Sequence, residues 1–286
     1  MSPSQNRVKK NFQPTIKELV LKYQSKLKID ELDQLMALAL HKNINYIYKN
    51  PDKQINRSNI LTFKKLLNKR LANWSLAKLK GHKEFFGLKF IVSSHTLIPR
   101  PDSELIVEEV LKNTNSPAGG KQNILDIGTG SGALILAIAK NNKHSATYTA
   151  SDISIGALAT ARTNARKLGL KQKITFIKSN LLTSITGKFD IIIANLPYLN
   201  PQQMKEPSIK KEPRIALLSG LDGLDHYKKL LSQLPKHLNK KYLVLLEIDP
   251  SQKEAIKKEI INNLPQAKIT FIKDLAANIR VAKITQ

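Results

Sequence analysis

The chain from residue 121 onward alternates short apolar runs with helical segments, which is the pattern of an α/β protein with a doubly wound parallel sheet. Polar features follow three of the apolar runs. A glycine-rich segment at 128–132 comes after the first run, Asp152 ends the second, and Asn195 comes after the fourth. Because ligands of such sheets bind at the carboxyl ends of the strands, the sequence predicts a binding site built from these residues.

Seven strands and four helices are expected in this part of the chain. The strand segments are short and apolar, whereas the longer segments repeat apolar residues at helical spacing. The expected strands are 123–127, 147–153, 174–178, 189–194, 242–248, 267–273 and 279–284. The expected helices are 133–140, 154–168, 221–238 and 251–263.

The first third of the chain predicts a set of helices followed by a hairpin. Apolar residues recur at helical spacing in 15–27, 29–41 and 60–76, and Asn50-Pro51-Asp52 indicates a turn before the last of these. Short apolar runs around Gly87 are typical of a β-hairpin. We therefore expect a helical recognition domain at 1–82, a β-hairpin linker at 83–98 and the α/β domain at 99–286.

Composition limits the classes of protein to be considered. The 286 residues are 41% hydrophobic and include no cysteine, so we expect a globular protein without disulfides, thiolate metal sites or a cysteine nucleophile. The six histidines lack metal-ligand spacing, and the sequence contains no Gly-x-Ser-x-Gly or Gly-Lys-Ser/Thr motif of hydrolases and NTPases. No apolar run is long enough to span a membrane, and no signal-peptide core is evident. We expect a cytoplasmic monomer with no membrane or metal partner.

The formal net charge of +25 is denser in the N-terminal third of the chain. Residues 1–90 hold 19 Lys and Arg against 6 Asp and Glu, whereas residues 91–286 hold 28 against 16. Such charge attracts nucleic acid, ribosomes or an acidic protein. A lysine-rich composition with no binding role explains it equally well, since Lys, Asn and Ile are frequent throughout.

The glycine-rich segment predicts a nucleoside-cofactor site. A glycine loop alone is weak support, but strand, loop, helix, second strand and terminal acid occur here in the expected order. The dinucleotide fingerprint needs its last glycine three residues after Gly130, whereas this chain has Gly132. The segment from Asp126 resembles the Asp-x-Gly-x-Gly-x-Gly motif of class I S-adenosylmethionine-dependent methyltransferases.

That resemblance implies a role for each matching residue. Asp126, Gly128, Thr129, Gly130, Ser131 and Gly132 bind the methionine end of the cofactor. Asp152 holds the ribose hydroxyls, and Asn180 with Leu181 flanks the adenine. Many relatives have Asp in place of Asn180; Asn keeps one acceptor and adds a donor.

The segment Asn195-Leu196-Pro197-Tyr198 can hold a planar NH2 group at a strand end. It resembles the Asn/Asp-Pro-Pro-Tyr motif of enzymes that methylate amide or amine nitrogens. In that resemblance Asn195 Oδ1 and the Leu196 carbonyl accept the N–H bonds beside the cofactor, Pro197 fixes the backbone, and Tyr198 packs on the planar group. Leu196 replaces a proline, but the contact is made by a backbone oxygen. A plain strand-to-loop turn with a buried tyrosine is the alternative.

Further segments resemble one family, the peptide chain release factor N5-glutamine methyltransferases (the HemK/PrmC family). They are 83–87, 97–104, 212–214, 220–224, 246–248 and 278–281, with Leu-Ile-Pro-Arg-Pro the most specific. The family implies a seven-stranded Rossmann-like methyltransferase sheet, S-adenosyl-L-methionine as cofactor, and the Gly-Gly-Gln loop of release factors as partner. Arg100 and Pro101 then border the substrate channel, although a surface salt bridge explains Arg100 equally well. Asp249 departs from a glycine frequent in the family.

Two other functions are compatible with parts of this pattern. An adenine-N6 methyltransferase acting on DNA or RNA also needs an NH2 site, and the basic charge suits nucleic acid. The absence of a separate base-reading module disfavours it. A catalytically silent protein that binds ribosomal RNA is the third hypothesis. The joint presence of six residues argues against it: Asp126, Gly128, Gly130, Asp152, Asn195 and Tyr198.

Overall fold

A computed structural model describes residues 13–114 and 120–286 of the chain. Residues 1–12 and 115–119, which belong to the expected helical and α/β domains, lie outside these ranges. The chain divides into two compact units between Lys80 and Gly81. The sequence placed this boundary after residue 82, but His82 already pairs with Ile91 in the hairpin. In the two described ranges, no helix is long and apolar enough to cross a membrane.

The first unit is helical in its described part, from residue 13 to residue 80. Its helices are α1 (Ile16–Lys22), α2 (Ile29–Ala39), α3 (Ile44–Lys49), α4 (Arg57–Leu71) and α5 (Leu76–Lys80). Apolar faces of these helices enclose a core that includes Leu32, Leu35, Met36 and Phe63, all fully buried. The helical character of this segment therefore agrees with the apolar periodicity.

The helix ends differ from the expected ones because polar side chains cap them. Thr15 and Glu18 form a capping box at the start of α1. The helix expected at 60–76 begins at Arg57, since the Asn56 side chain accepts a hydrogen bond from the Asn59 N–H. It ends at Leu71 because Asn73 has a left-handed backbone with φ of 66°.

The second unit carries the hairpin and one large sheet. Its strands are β1 (His82–Phe85), β2 (Leu88–Ile91), β3 (Gln122–Ile127), β4 (Ala146–Asp152), β5 (Ile174–Lys178), β6 (Phe189–Ala194), β7 (Leu238–Glu247), β8 (Lys268–Lys273) and β9 (Ile279–Thr285). Its helices are α6 (Glu104–Asn113), α7 (Ala133–Asn141), α8 (Ile155–Lys167), α9 (Asp225–Gln233) and α10 (Lys253–Asn263). The large sheet has seven strands, so the expected α/β fold is confirmed.

The strand order of the large sheet is β5-β4-β3-β6-β7-β9-β8. β3 to β7 are parallel, and β9 lies antiparallel to both β7 and β8. The chain order reverses between β3 and β6, so the loops after these two strands diverge at a switch point. Buried apolar residues cover both faces of the sheet, as its near-continuous apolar strands require.

The hairpin is shorter than the segment that predicted it. β1 and β2 are joined at Phe86 and Gly87, whose φ angles of 49° and 68° suit a two-residue turn that matches strand twist. The Asn164 side chain of α8 receives the Ile91 N–H (2.8 Å) and donates to the Ile91 carbonyl (3.0 Å). Residues 92–98 form no strand and lead to the large sheet.

Two predictions in the α/β part need correction. The helix expected at 221–238 is confined to Asp225–Gln233, because Gly220 and Gly223 adopt positive φ before it and Pro235 lacks an N–H after it. β7 consequently starts at Leu238, where it pairs with Phe189. Helix α6 was not predicted, although its amphipathic pattern starts at Glu104, shortly after the Pro-Arg-Pro segment.

Candidate active site

A cavity of about 340 Å³ lies in the second unit at the carboxyl ends of β3, β4, β5 and β6. The parallel register brings these ends together: Ile127 is paired with Ser151 on one side and with Ala194 on the other. Among the residues singled out by the sequence, those that line the cavity are Gly128, Thr129, Gly130, Ser131, Asp152, Asn180, Leu181, Asn195, Leu196 and Pro197. Asp126, Gly132, Tyr198, Arg100 and Pro101 are outside this lining.

The glycine loop is held in a tight turn between β3 and α7. Gly128, Gly130 and Gly132 have φ angles of 71°, 56° and 80°, which are costly for other residues. The Thr129 N–H donates to the Ser151 carbonyl (2.9 Å), which ties the loop to β4. Gly132, the N-cap of α7, has no side chain to cap the helix, so N–H groups of the first turn can bind an anionic group such as a carboxylate.

Asp126 supports this loop from below. Its side chain is fully buried and its Oδ2 accepts a hydrogen bond from the Thr129 hydroxyl (2.5 Å). The pKa of Asp126 is raised to about 7, mainly by burial; the Thr129 hydrogen bond opposes this shift and the nearby charge of Asp152 adds to it. The structure therefore places Asp126 behind the cavity wall, where it orients Thr129.

Asp152 connects the loop to the start of α8. Its Oδ2 accepts from the Gly130 N–H and its Oδ1 from the Ser154 N–H, each at 2.8 Å. Each carboxylate oxygen retains a further acceptor site. Burial raises the pKa of Asp152, and these backbone hydrogen bonds oppose the shift. The carboxylate can therefore bind two hydroxyl groups while it fixes the loop.

The segment after β5 forms the next part of the wall. Asn180 is exposed, whereas Leu181 is buried and has a left-handed backbone with φ of 55°. Such a φ is uncommon for a bulky residue. The Leu182 N–H donates to Gln233 Oε1 of α9 (3.1 Å) and secures the turn.

Asn195 follows β6 and lines the cavity. Its Nδ2 donates to the Ser103 hydroxyl (3.0 Å), which lies just before α6. With Nδ2 engaged in this way, Oδ1 is the side-chain atom left to accept a hydrogen bond from a ligand. Ser103 was not singled out from the sequence.

Leu196 is buried beneath the glycine loop. Its N–H donates to the hydroxyl of Tyr227 in α9 (3.3 Å), and that hydroxyl donates to the carbonyl of Glu247. A proline in place of Leu196 has no N–H for this contact. The leucine that replaces the proline of the family motif therefore has an N–H, and this N–H has a specific acceptor in the Tyr227 hydroxyl.

Tyr198 and Glu247 meet behind the motif. The Tyr198 hydroxyl donates to Glu247 Oε1 (3.3 Å), and the Ser103 hydroxyl donates to Glu247 Oε2 (2.5 Å). Burial raises the pKa of Glu247 to about 7 and also raises that of Tyr198, where the Glu247 charge adds to the effect. Glu247 was noted only as part of a strand; the available signal was an acid directly after the apolar run 243–246.

Arg100 is paired rather than placed in the cavity lining. Its guanidinium donates to Glu212, whose other oxygen accepts from the Ile98 N–H (2.9 Å). The Glu212 side chain is nearly inaccessible, whereas that of Arg100 is 41% exposed. The pair fixes the Leu-Ile-Pro-Arg-Pro segment against the loop that carries Glu212, and Pro101 begins the short 3₁₀ helix Pro101–Ser103.

Asn164 was also missed by the sequence analysis. Besides its contacts with Ile91, its Nδ2 donates to the Ser131 carbonyl of the glycine loop (2.8 Å). One buried amide therefore joins the hairpin to the loop. An Asn on the buried face of α8, next to Ala161 and Ala165, was the signal that could have identified it.

Comparison with known proteins identifies relatives over most of the chain. The family model of the methyltransferase small domain matches residues 100–212. The release factor glutamine methyltransferase of Bacillus anthracis is 32% identical over 254 residues, which cover 86% of this chain and 89% of that protein. The bifunctional methyltransferase of Rickettsia bellii is 32% identical over 285 residues, which cover 88% of this chain. The chain spans only 50% of the Rickettsia protein's length.

A solved methyltransferase structure from Pyrococcus furiosus has a TM-score of 0.51 at 22% identity. The match covers 76% of this chain and 95% of that one, and at this identity it shows the shared fold alone.

The residues present fit S-adenosylmethionine, the cofactor of this class of methyltransferase. The cavity has the size range of small-molecule sites. Asp152 offers acceptors for hydroxyl groups, and the uncapped start of α7 offers N–H donors for a carboxylate. The resemblance inferred from the motifs is thereby confirmed: the chain belongs to the release factor glutamine methyltransferase family.

Proposed function

We propose that this protein transfers a methyl group from S-adenosylmethionine to the side-chain amide nitrogen (N5) of the glutamine in the Gly-Gly-Gln motif of release factors. The orientation of Asn195 carries the proposal. Ser103 receives its Nδ2, so that Oδ1 is available at the cavity for an NH2 group. The names of relatives such as the Bacillus anthracis enzyme support glutamine as the substrate.

The chain's own residues make the glutamine amide reactive. An amide nitrogen is a poor nucleophile because its lone pair is delocalised into the carbonyl. Acceptance of its two N–H bonds by Asn195 Oδ1 and the Leu196 carbonyl stabilises positive charge that develops on nitrogen and aims the lone pair. The cofactor supplies a methyl group on a sulfonium centre. Pro197 fixes the backbone of this motif, and Tyr198 packs beside the planar amide.

The cofactor contacts in this proposal follow the geometry of the loop. Gly128, Thr129, Gly130, Ser131 and Gly132 enclose the methionine end, with Asp126 orienting Thr129. Asp152 binds the ribose hydroxyls through its remaining acceptor sites. Asn180 and Leu181 flank the adenine, because both line the cavity after β5.

Substrate entry is assigned to the segment around Arg100 and Pro101. Glu212 orients the Arg100 side chain while leaving it partly exposed, so it can meet an incoming loop. Ile215 lines the cavity and is 58% exposed, which offers an apolar contact at the same side of the second unit. The helical unit that ends at Lys80 docks the release factor, and the protein acts as a cytoplasmic monomer.

A methyl-transfer assay tests this function. The purified protein is incubated with labelled S-adenosylmethionine and a release factor, the same factor with Gln→Ala in its Gly-Gly-Gln loop, or adenine-containing DNA. Label on the first substrate alone is expected. The net charge of +25 suits nucleic acid, so DNA is the competing substrate. Label on DNA alone would favour an adenine-N6 methyltransferase and reject the proposal.

Asn195→Ala separates binding from transfer. This variant should largely retain cofactor binding and lose most methyl transfer, since it lacks the Oδ1 acceptor. Asn141→Ala, at the end of α7, removes an amide that only donates to the Ala137 carbonyl and should retain activity. Unchanged turnover in Asn195→Ala would remove Asn195 from the mechanism.

A further inference from the structure

A chain of hydrogen-bonded polar side chains continues from Asn195 into the protein interior. Asn195 Nδ2 donates to Ser103 Oγ (3.0 Å), and Ser103 Oγ donates to Glu247 Oε2 (2.5 Å). The Tyr198 hydroxyl donates to the other carboxylate oxygen (3.3 Å). We call Asn195, Ser103, Glu247 and Tyr198 the Glu247 relay.

The Glu247 relay is buried at its centre. Ser103 and Glu247 are each 3% exposed, and Glu247 ends β7 directly after the buried apolar run 243–246. None of the ion pairs among the described residues includes Glu247. A carboxylate without a cationic partner is expensive to bury, so its two hydroxyl donors must provide the compensation.

An ionised carboxylate fixes the direction of every hydrogen bond in this relay. It has no hydrogen, so both hydroxyl groups must donate to it. Ser103 has a single hydroxyl hydrogen, which Glu247 takes, and its oxygen can then only accept from Asn195. The amide of Asn195 must therefore turn Nδ2 toward Ser103.

We infer that Ser103 and Glu247 are positioning residues that hold the Asn195 amide with Oδ1 toward the substrate NH2 group. This inference rests on the proposed function. With the amide reversed, Nδ2 would face the substrate NH2, and two donors would meet without an acceptor. The reversed amide therefore gives no assistance to methyl transfer.

Protonation of Glu247 removes the constraint. A neutral carboxyl group can donate to Ser103, whose own hydrogen is then free to bind Asn195 Oδ1 and stabilise the reversed amide. The pKa of Glu247 is raised to about 7, mainly by burial and in part by the Asp102 charge, against the lowering effect of the hydrogen bonds from Ser103, Tyr198 and Asn195.

Charged and titratable groups surround the relay on every side. Asp102 precedes Ser103, Tyr227 approaches from α9, and Arg280 of β9 and Asp249 after β7 act on Tyr198. Tyr198 and Tyr227 both have pKa values raised by burial, so they stay neutral while Glu247 titrates.

The test compares Ser103→Ala and Glu247→Gln in the full chain, with the release factor as substrate. In Ser103→Ala the Asn195 amide loses the hydrogen bond that sets its orientation, so kcat should fall about threefold to tenfold. The loss is limited because Glu247 can still attract Asn195 Nδ2 directly. Glu247→Gln should lower kcat at pH 8 by about tenfold or more, since its own amide can adopt either orientation. Cofactor affinity should stay within about twofold in both.

Two variants on α6 serve as matched controls. Thr114→Ala removes a buried hydroxyl at the far end of α6, and Glu109→Gln removes a carboxylate that pairs with Lys283. Both should keep the wild-type kcat. Thermal unfolding of each variant shows whether a loss of kcat reflects loss of fold.

The pH profile separates positioning from a merely structural role. The kcat of the wild type should fall on acidification through about pH 7, and this acid limb should disappear in Glu247→Gln. Wild-type kcat and an unchanged acid limb in folded Glu247→Gln and Ser103→Ala would overturn the inference. If the wild type methylates adenine instead of glutamine, the proposed function fails. The Glu247 relay is then tested separately, by measuring the kcat of the same variants with the adenine substrate.

Discussion

Leu196 lies directly against Gly128, so that a Cβ on this glycine would be 2.9 Å from Cδ2 of Leu196. The leucine that replaces the proline of the family motif thus packs beneath the cofactor loop. Gly128 also has a φ of 71° and a place in the cavity wall. The two motifs that were recognised separately in the sequence are in van der Waals contact in the fold.

Gly128→Ala should therefore weaken cofactor binding as well as stability. The positive φ costs an L-residue about 1–2 kcal/mol, and the new methyl group forces Leu196 to move. Gly187→Ala has a similar φ of 87° with no atom within 4 Å and is the matched control. Denaturation should show losses of stability in both variants, whereas calorimetry should show reduced S-adenosylmethionine affinity only in Gly128→Ala. Equal S-adenosylmethionine affinities in the two variants would show that the contact between Leu196 and Gly128 does not affect cofactor binding.

Restoring proline at position 196 should destabilise this particular protein. Leu196→Pro removes the N–H that donates to the Tyr227 hydroxyl, a loss of about 0.5–1.5 kcal/mol. Tyr227→Phe removes the same contact and also leaves the Glu247 carbonyl without this donor. In a double-mutant cycle by urea denaturation, the two losses should be non-additive by about 1 kcal/mol. Additive losses would show that the Leu196 N–H contributes nothing through Tyr227.

Asp152→Asn should reduce cofactor affinity by about tenfold to a hundredfold, the cost of a hydrogen bond to a charged group. The amide has one oxygen, whereas Gly130 and Ser154 each donate to a separate carboxylate oxygen. In Asp152→Asn one of these two backbone N–H groups would then face the NH2 group of the new side chain, so that two donors meet without an acceptor. Asp190→Asn is the control, because Asp190 also accepts two N–H donors, from Asn123 and Asn239, outside the cavity lining. Calorimetry should show reduced S-adenosylmethionine affinity in Asp152→Asn and unchanged affinity in Asp190→Asn.

The sequence predicted the parts of the site that lie next to each other along the chain. The glycine loop, Asp152 and Asn195 each follow a strand, and parallel strands place such ends at one edge. Ser103 and Glu247 were missed as partners because they are 144 residues apart and meet only through folding. The role of Leu196 was likewise invisible, since its N–H finds Tyr227 on a distant helix. The start of α9 was predicted too early, because it depends on the positive φ angles of Gly220 and Gly223 just before it.

The stability of the protein and its activity should respond to pH in opposite directions between about pH 4.5 and 7. Burial is the main cause that raises the pKa of Asp126 and of Glu247 to about 7, from ordinary values of 3.8 and 4.5. In this window the folded chain holds protons that the unfolded chain has released, so the free energy of unfolding falls as the pH rises. Each group contributes on the order of 3 kcal/mol to this fall. Glu109, whose pKa is lowered, loses its contribution only below this window.

Urea denaturation at pH 5 and pH 8 measures the effect. Glu247→Gln should lose less stability than the wild type between these two values, because its side chain no longer titrates, and Asp126→Asn should behave similarly. Glu109→Gln should keep the wild-type difference. Over the same interval the kcat of the wild type should rise, since the ionised Glu247 orients Asn195 through Ser103. A stability difference in Glu247→Gln equal to that of the wild type would mean that Glu247 is already ionised at pH 5.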